Sequence, residues 1–91
     1  MTTIDVQCLP TSDGAACAVV VTDATGASEY QVTVTDAAFD DHERLVRETF
    51  EFLLEREPRG SILAAFDLSV VRRYFPEYDE EIRHRMARPV R

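Results

Sequence analysis

The hydrophobic period of this chain changes once, from two to that of an α-helix, and the switch near residue 36 fixes the fold class. Before it, Ile4, Val6 and Cys8 alternate with Asp5 and Gln7, and Tyr30, Val32 and Val34 alternate with Gln31 and Thr33. Between them lies the apolar run "AACAVVV", set off by the turn signals "TSDG" and "TDATGAS". Three β-rich segments joined by short Asp/Gly/Ser turns predict an antiparallel meander over residues 1–36.

The turns also predict the register. A turn centred between Ser12 and Asp13 sets Cys8 opposite Cys17, Val6 opposite Val19 and Ile4 opposite Val21. A turn centred between Ala24 and Thr25 sets Cys17 opposite Val32, Val19 opposite Tyr30 and Ala15 opposite Val34. Both registers put the larger apolar side chains on one face, as a one-sided sheet requires. The other face holds Gln7, Ala16, Ala18, Val20, Gln31 and Thr33, and meets solvent or a partner. Cys8 and Cys17 fall side by side. A cross-strand disulfide is conceivable there, but the expectation in a reducing cytosol is two buried thiols acting as small apolar side chains.

After the switch, residues 39–57 carry apolar side chains at 45, 46, 50, 53 and 54, with Phe52 at the stripe's edge, and predict one long helix. Asp40 or Asp41 can cap it, and Asp40 with Glu43 resembles a capping box; Pro58 and Gly60 stop it. Short helices are expected over residues 61–87. Ser61 would cap "SILAAF", Asp67 or Ser69 would cap "LSVVRRYF", and Pro76 would open "PEYDEEIRHRM". In that last segment Asp79/Arg83, Glu80/His84 and Glu81/Arg85 stand four residues apart, acid before base, as surface pairs do. The ending "RPVR" is expected to fray.

The fold class is therefore α+β: a three-stranded antiparallel meander, then one long and two or three short helices packed on one face, in a single domain of 91 residues. The expected core is Ile4, Val6, Val19, Val21, Tyr30, Val32, Val46, Phe50, Leu53, Leu63, Phe66, Val71, Phe75 and Ile82. The longest apolar run, residues 15–21, is far short of the roughly 20 residues a membrane helix needs, so no membrane role and a cytoplasmic setting are expected.

Charge narrows the partners. The net charge of −7 disfavours nucleic acid and anionic membranes, which it would repel. The acid is unevenly spread, however: residues 1–58 carry three arginines against twelve acids, and residues 59–91 seven against five.

The adjacent Arg72 and Arg73 sharpen the question, because "SILAAFDLSVVRRYF" superficially resembles helix-turn-helix. As a recognition helix, residues 68–75 would aim both arginines at phosphates or guanine edges, with Arg83, Arg85, Arg88 and Arg91 adding positive charge. Such helices usually show several polar side chains near their start, and only Ser69 stands there among Leu68, Val70 and Val71. Solvated arginines balancing nearby acids are the plainer reading. As anchors for an acidic protein surface they are also reasonable, since arginine is enriched at interface hot spots.

No chemistry is specified elsewhere. Cys8, Cys17, His42 and His84 lack the paired spacing of a zinc site. Asp40/Asp41 and Glu80/Glu81 are expected to be solvated first-turn acids rather than a catalytic pair, and three glycines build no phosphate loop. Neither enzyme activity nor a cofactor is expected. Tyr74, Phe75 and Tyr78 around Pro76 are read as packing at a helix corner.

The elements "FLLEREP", "SIL" and "FDL…YFPEY" resemble a pattern found in short uncharacterised bacterial proteins. These elements lie between Phe52 and Tyr78. It implies a bacterial, cytoplasmic, stand-alone domain and no particular activity, cofactor or catalytic residue. Together these readings lead to a non-catalytic protein-interaction or regulatory module with Arg72, Arg73, Arg83 and Arg85 as candidate partner-binding residues. Homodimerisation through the sheet edge at residues 28–36 is one concrete form of it, and the alternative is a nucleic-acid-associated regulator using the C-terminal arginines.

Overall fold

A computed structural model describes residues 1–35 and 41–88. Alternation in the outer two segments and the apolar run between them produce β1 (Thr3–Thr11), β2 (Gly14–Asp23) and β3 (Gly26–Val34), paired antiparallel in sequence order. The register is the one the turns dictate: Cys8 faces Cys17, Val6 faces Val19, and Cys17 faces Val32. The chain is α+β.

A fourth strand was not expected. β4 (Ala65–Asp67) runs parallel to β3, with Gln31, Val32 and Thr33 opposite Ala65, Phe66 and Asp67. The sheet is thus four-stranded and mixed, in the order β1-β2-β3-β4. The helix expected from Ser61 is replaced by a single 3₁₀ turn, Arg59–Ser61, and an extended stretch leading into β4. The reason is a hydrogen-bonding need: the outward N–H of Gln31 is met by Ala64 O at 2.8 Å, which closes the middle of the β3 edge.

The long helix is α1 (His42–Leu54), shorter at both ends than the expected 39–57. Asp41 caps it, its carboxylate accepting from Arg44 N–H at 3.1 Å. Asp40 and the proposed capping box with it lie outside the described residues, as do residues 89–91 of the expected frayed end. α1 buries Leu45, Val46, Phe50 and Leu53 against the sheet, and Phe52 is completely buried rather than marginal. Its ring meets Phe75 and Tyr78 edge-on, with centroids 5.6 and 5.4 Å away.

Residues 68–75 do not form one helix. Leu68–Val70 is a 3₁₀ turn capped by Asp67, and α2 (Val71–Tyr74) is one α-helical turn. α3 (Tyr78–Ala87) starts two residues after Pro76 rather than at it. The core contains the expected residues apart from four: Ile4, Phe66 and Phe75 are half-buried against it, and Leu63 is 54 % exposed. Leu63 leaves the core because the extended segment around it turns outward where a helix would have turned it in. Among the described residues no buried side-chain nitrogen or oxygen lacks a hydrogen-bond partner. Thr49 Oγ1 donates to or accepts from Tyr78 OH at 2.8 Å and also lies 2.8 Å from Leu45 O.

Cys8 and Cys17 are joined by a disulfide, not held as two thiols. Their Cα atoms are 4.0 Å apart, the close spacing of a non-hydrogen-bonded antiparallel pair, which aims both sulfurs at each other.

Candidate functional site

The four arginines singled out by the sequence do not form one patch. Arg85 is 6 % exposed and clamps α3 to the end of α1, donating to both Glu55 carboxylate oxygens at 2.8 Å and to Glu81 at 3.1 Å. Burial opposes its charge, but the two carboxylates outweigh that and raise its pKa. Its guanidinium is taken up by these contacts within the fold. Of the three acid-before-base pairs in that segment, the Glu81/Arg85 ion pair forms. Asp79 instead pairs with Arg72 at 3.3 Å, and Arg83 donates weakly to Asp79 O at 3.4 Å.

Several other arginines also hold the fold together. Arg44 donates to Arg85 O, Met86 O and Arg88 O at 3.1, 3.0 and 2.6 Å, satisfying the carbonyls that end α3. Arg56 lies 3.6 Å above the Phe52 ring. Arg59 reaches across to the β2–β3 turn, donating to Asp23, Ser28 and Thr25, while its own carbonyl accepts from Tyr30 OH at 2.6 Å. Arg73 is exposed and has no ion pair among the described residues.

Arg59 and Thr25 together hold the Asp23 carboxyl far below the usual carboxylate range. A depressed folded-state pKa gives stability that is present above the unfolded value of about 3.9 and is lost as pH falls below it. The expected result is that wild type is more stable than Asp23→Asn at pH 6, and that the gap in denaturation midpoint shrinks as pH falls below about 4. A gap independent of pH would contradict the pairing.

Among the described residues, the concavities include three that bear on recognition. One open groove, lined in part by Glu51, Glu55, Glu81, His84 and Arg85, lies between α1, α3 and the start of β1. Burial, then the neighbouring Glu48, raises the Glu51 pKa there. Its other charges are mostly occupied by the Arg85 clamp. A second groove holds Asp67, Ser69, Arg72, Asp79 and Arg83. Here too the polar groups answer one another. Burial pushes the Asp67 carboxyl up, yet hydrogen bonds from Thr33, Ser69 and Thr35 leave its pKa lowered.

The third concavity is different in kind. It is an apolar cleft of about 230 Å³ between the segment entering β4 and α2, lined by Leu53, Ile62, Leu63, Phe66, Tyr74 and Phe75 among others. Leu63 and Tyr74, 54 % and 68 % exposed, form its lips, and Glu57 and Ser61 supply polar atoms at its rim. Its volume is below the ~300–1,000 Å³ typical of small-molecule sites and suits one or two side chains of a protein. Arg72 faces the second groove from the same helical turn that offers Tyr74 to the cleft.

Sequence reasoning placed Leu63 in the core and Tyr74 in a packed corner, so it missed both lips. Phe75 and Tyr78 do pack there. The signal that could have exposed Tyr74 is its position in a four-residue turn, where one buried residue, Val71, uses up the inward face. His42 and His84 lie on separate helices, and among the described residues no three His, Cys, Asp or Glu side chains converge on a metal-sized site. Among the same residues no helix is long and apolar enough to cross a membrane. Comparison with protein families, curated proteins and solved structures finds no match to this chain.

Proposed function

We propose that this chain is a non-catalytic protein-interaction module of a bacterial cytoplasm that takes an apolar side chain of its partner into the cleft between Leu63 and Tyr74. The observation that carries the reading is the pair of large apolar side chains left exposed around a small apolar cleft. Leaving them wet costs stability, and interfaces concentrate their energy in such central apolar pockets with an arginine nearby. Arg73 is the candidate for a flanking acidic group on the partner, with Arg72 and Arg83 on the adjoining groove.

The edge-dimer form of this reading has less support. β4 covers Gln31, Val32 and Thr33 on one edge. On the other edge, Cys8 N–H meets Glu43 at 3.4 Å and Pro10 offers no N–H. The nucleic-acid reading is weaker for a different reason: Arg85 is buried and Arg72 is paired with Asp79.

Selection from a displayed random-peptide library tests the proposal. Enriched peptides should share a large apolar residue near acids, and Leu63→Asp should weaken them at least about tenfold, the effect of ~1.4 kcal/mol, without lowering the melting midpoint. Peptides that bind Leu63→Asp as well as wild type would place the site elsewhere.

A further inference from the structure

β2 is apolar on both faces, yet only one face is covered. Its inward residues Ala15, Cys17, Val19 and Val21 are buried under the core, while Ala16 and Ala18 on the other face are exposed and Val20 is half-buried. A strand that reads as a continuous apolar run is the kind normally covered on both sides. Leu9, cross-strand from Ala16 on the same open face, is 72 % exposed.

The charges around this strip have one sign. Asp5 and Glu29 both stand opposite Val20, on the strands either side of it, so they flank it in one row. Strand spacing puts their backbones about 10 Å apart. Asp67 lies on the same face at the β4 edge, across from Thr33. Among the described residues the open face carries no base: Arg59, the nearest by sequence contact, is turned to the Asp23 side.

We infer that the open sheet face is a second docking surface, and that its occupant is a basic amphipathic helix of another protein. The small side chains of Ala16 and Ala18 let a helix approach closely, its apolar stripe covers Val20 and Leu9, and its flanking Lys or Arg residues meet Asp5 and Glu29. Covered in this way, the sheet would have helices on both faces, and the outward side of β2 would be as dry as its inward side. A second copy of this chain fits poorly. Stacking two such faces would bring the Asp5 and Glu29 carboxylates of both copies together, on chains that each carry a net charge of −7. The surface is separate from the cleft, so either can fail without the other.

The test uses the full chain, isotope-labelled, and a synthetic helical peptide of about five turns with an Ala/Leu stripe flanked by lysines. A matched peptide with glutamate in place of lysine is the control. The lysine peptide is expected to shift the resonances of Ala16, Ala18 and Val20, and to bind at least about tenfold more weakly to Val20→Asp or Ala18→Glu. The double variant Asp5→Lys/Glu29→Lys, altered only at exposed positions, should reverse the preference toward the glutamate peptide. Equal affinity for the two peptides, no saturable binding, or shifts confined to the cleft at Leu63 and Tyr74 would overturn the inference. So would a concentration-dependent dimer of the chain that Val20→Asp abolishes.

Discussion

Phe52→Ala is expected to lower stability by about 3–5 kcal/mol, a large part of the ~5–15 kcal/mol that holds a domain of this size together. The ring is fully buried and is where three elements meet. It packs edge-on against Phe75 from the segment after α2 and against Tyr78 from the start of α3, and Arg56 covers its face. Removing it leaves a cavity whose walls are held by separate elements: Tyr78 is fixed by its hydrogen bond to Thr49, and Arg85 by Glu55 and Glu81. Such walls collapse poorly, so the cost should fall at the upper end. Phe52→Leu keeps most of the volume and should cost far less. Urea denaturation reads the result as a lower midpoint with an unchanged slope. A loss below about 1 kcal/mol would mean that Phe52 sits at the edge of the helix stripe, as its spacing alone suggests.

Gly14→Ala should cost about 3 kcal/mol, the upper end for overpacking. Gly14 opens β2 with φ at +159°, and an added Cβ would lie 1.7 Å from Val34 O and 2.8 Å from Val34 C. Both are backbone atoms of the neighbouring strand, so no side-chain rotation relieves the clash and the β1–β2 turn must pull away from β3. Gly60→Ala is the internal control. Nothing lies within 4 Å of a Cβ there, and the substitution should be neutral or slightly stabilising through the unfolded state. Thermal midpoints of the two variants measured side by side check both. Equal midpoints would contradict the close approach of Gly14 to β3.

The sequence carried the sheet register to the residue because alternation and turn position both constrain it, and each hairpin checks the other through β2. Helix α1 was legible for the same reason: its stripe repeats over several turns. β4 was not. Three residues, "AFD", are too few to show a period, and their partner is a parallel strand some thirty positions earlier. Ser61 looked like a helix cap because serine caps helices in general; the unmet N–H of Gln31 decided the conformation instead.

Legibility of the surface followed the same rule. Glu81 and Arg85 are neighbours in sequence, so their pairing could be read, but Glu55, which buries Arg85, is thirty residues away. The cleft draws Leu53, Leu63 and Tyr74 from three elements, and its existence depends on where the segment after α1 turns. Arg72 and Arg73 were visible as an oddity in an acidic chain. What they adjoin was not.

Site-specific photo-crosslinking tests the central claim most directly. A photoreactive phenylalanine analogue placed at Leu63, at Tyr74 or, as a control, at exposed Arg47 on α1 would be irradiated in lysate of the source cells with and without nuclease. The account predicts one protein adduct, shared by positions 63 and 74 and missing from 47. Adducts that vanish with nuclease, or that form equally at all three positions, would contradict it.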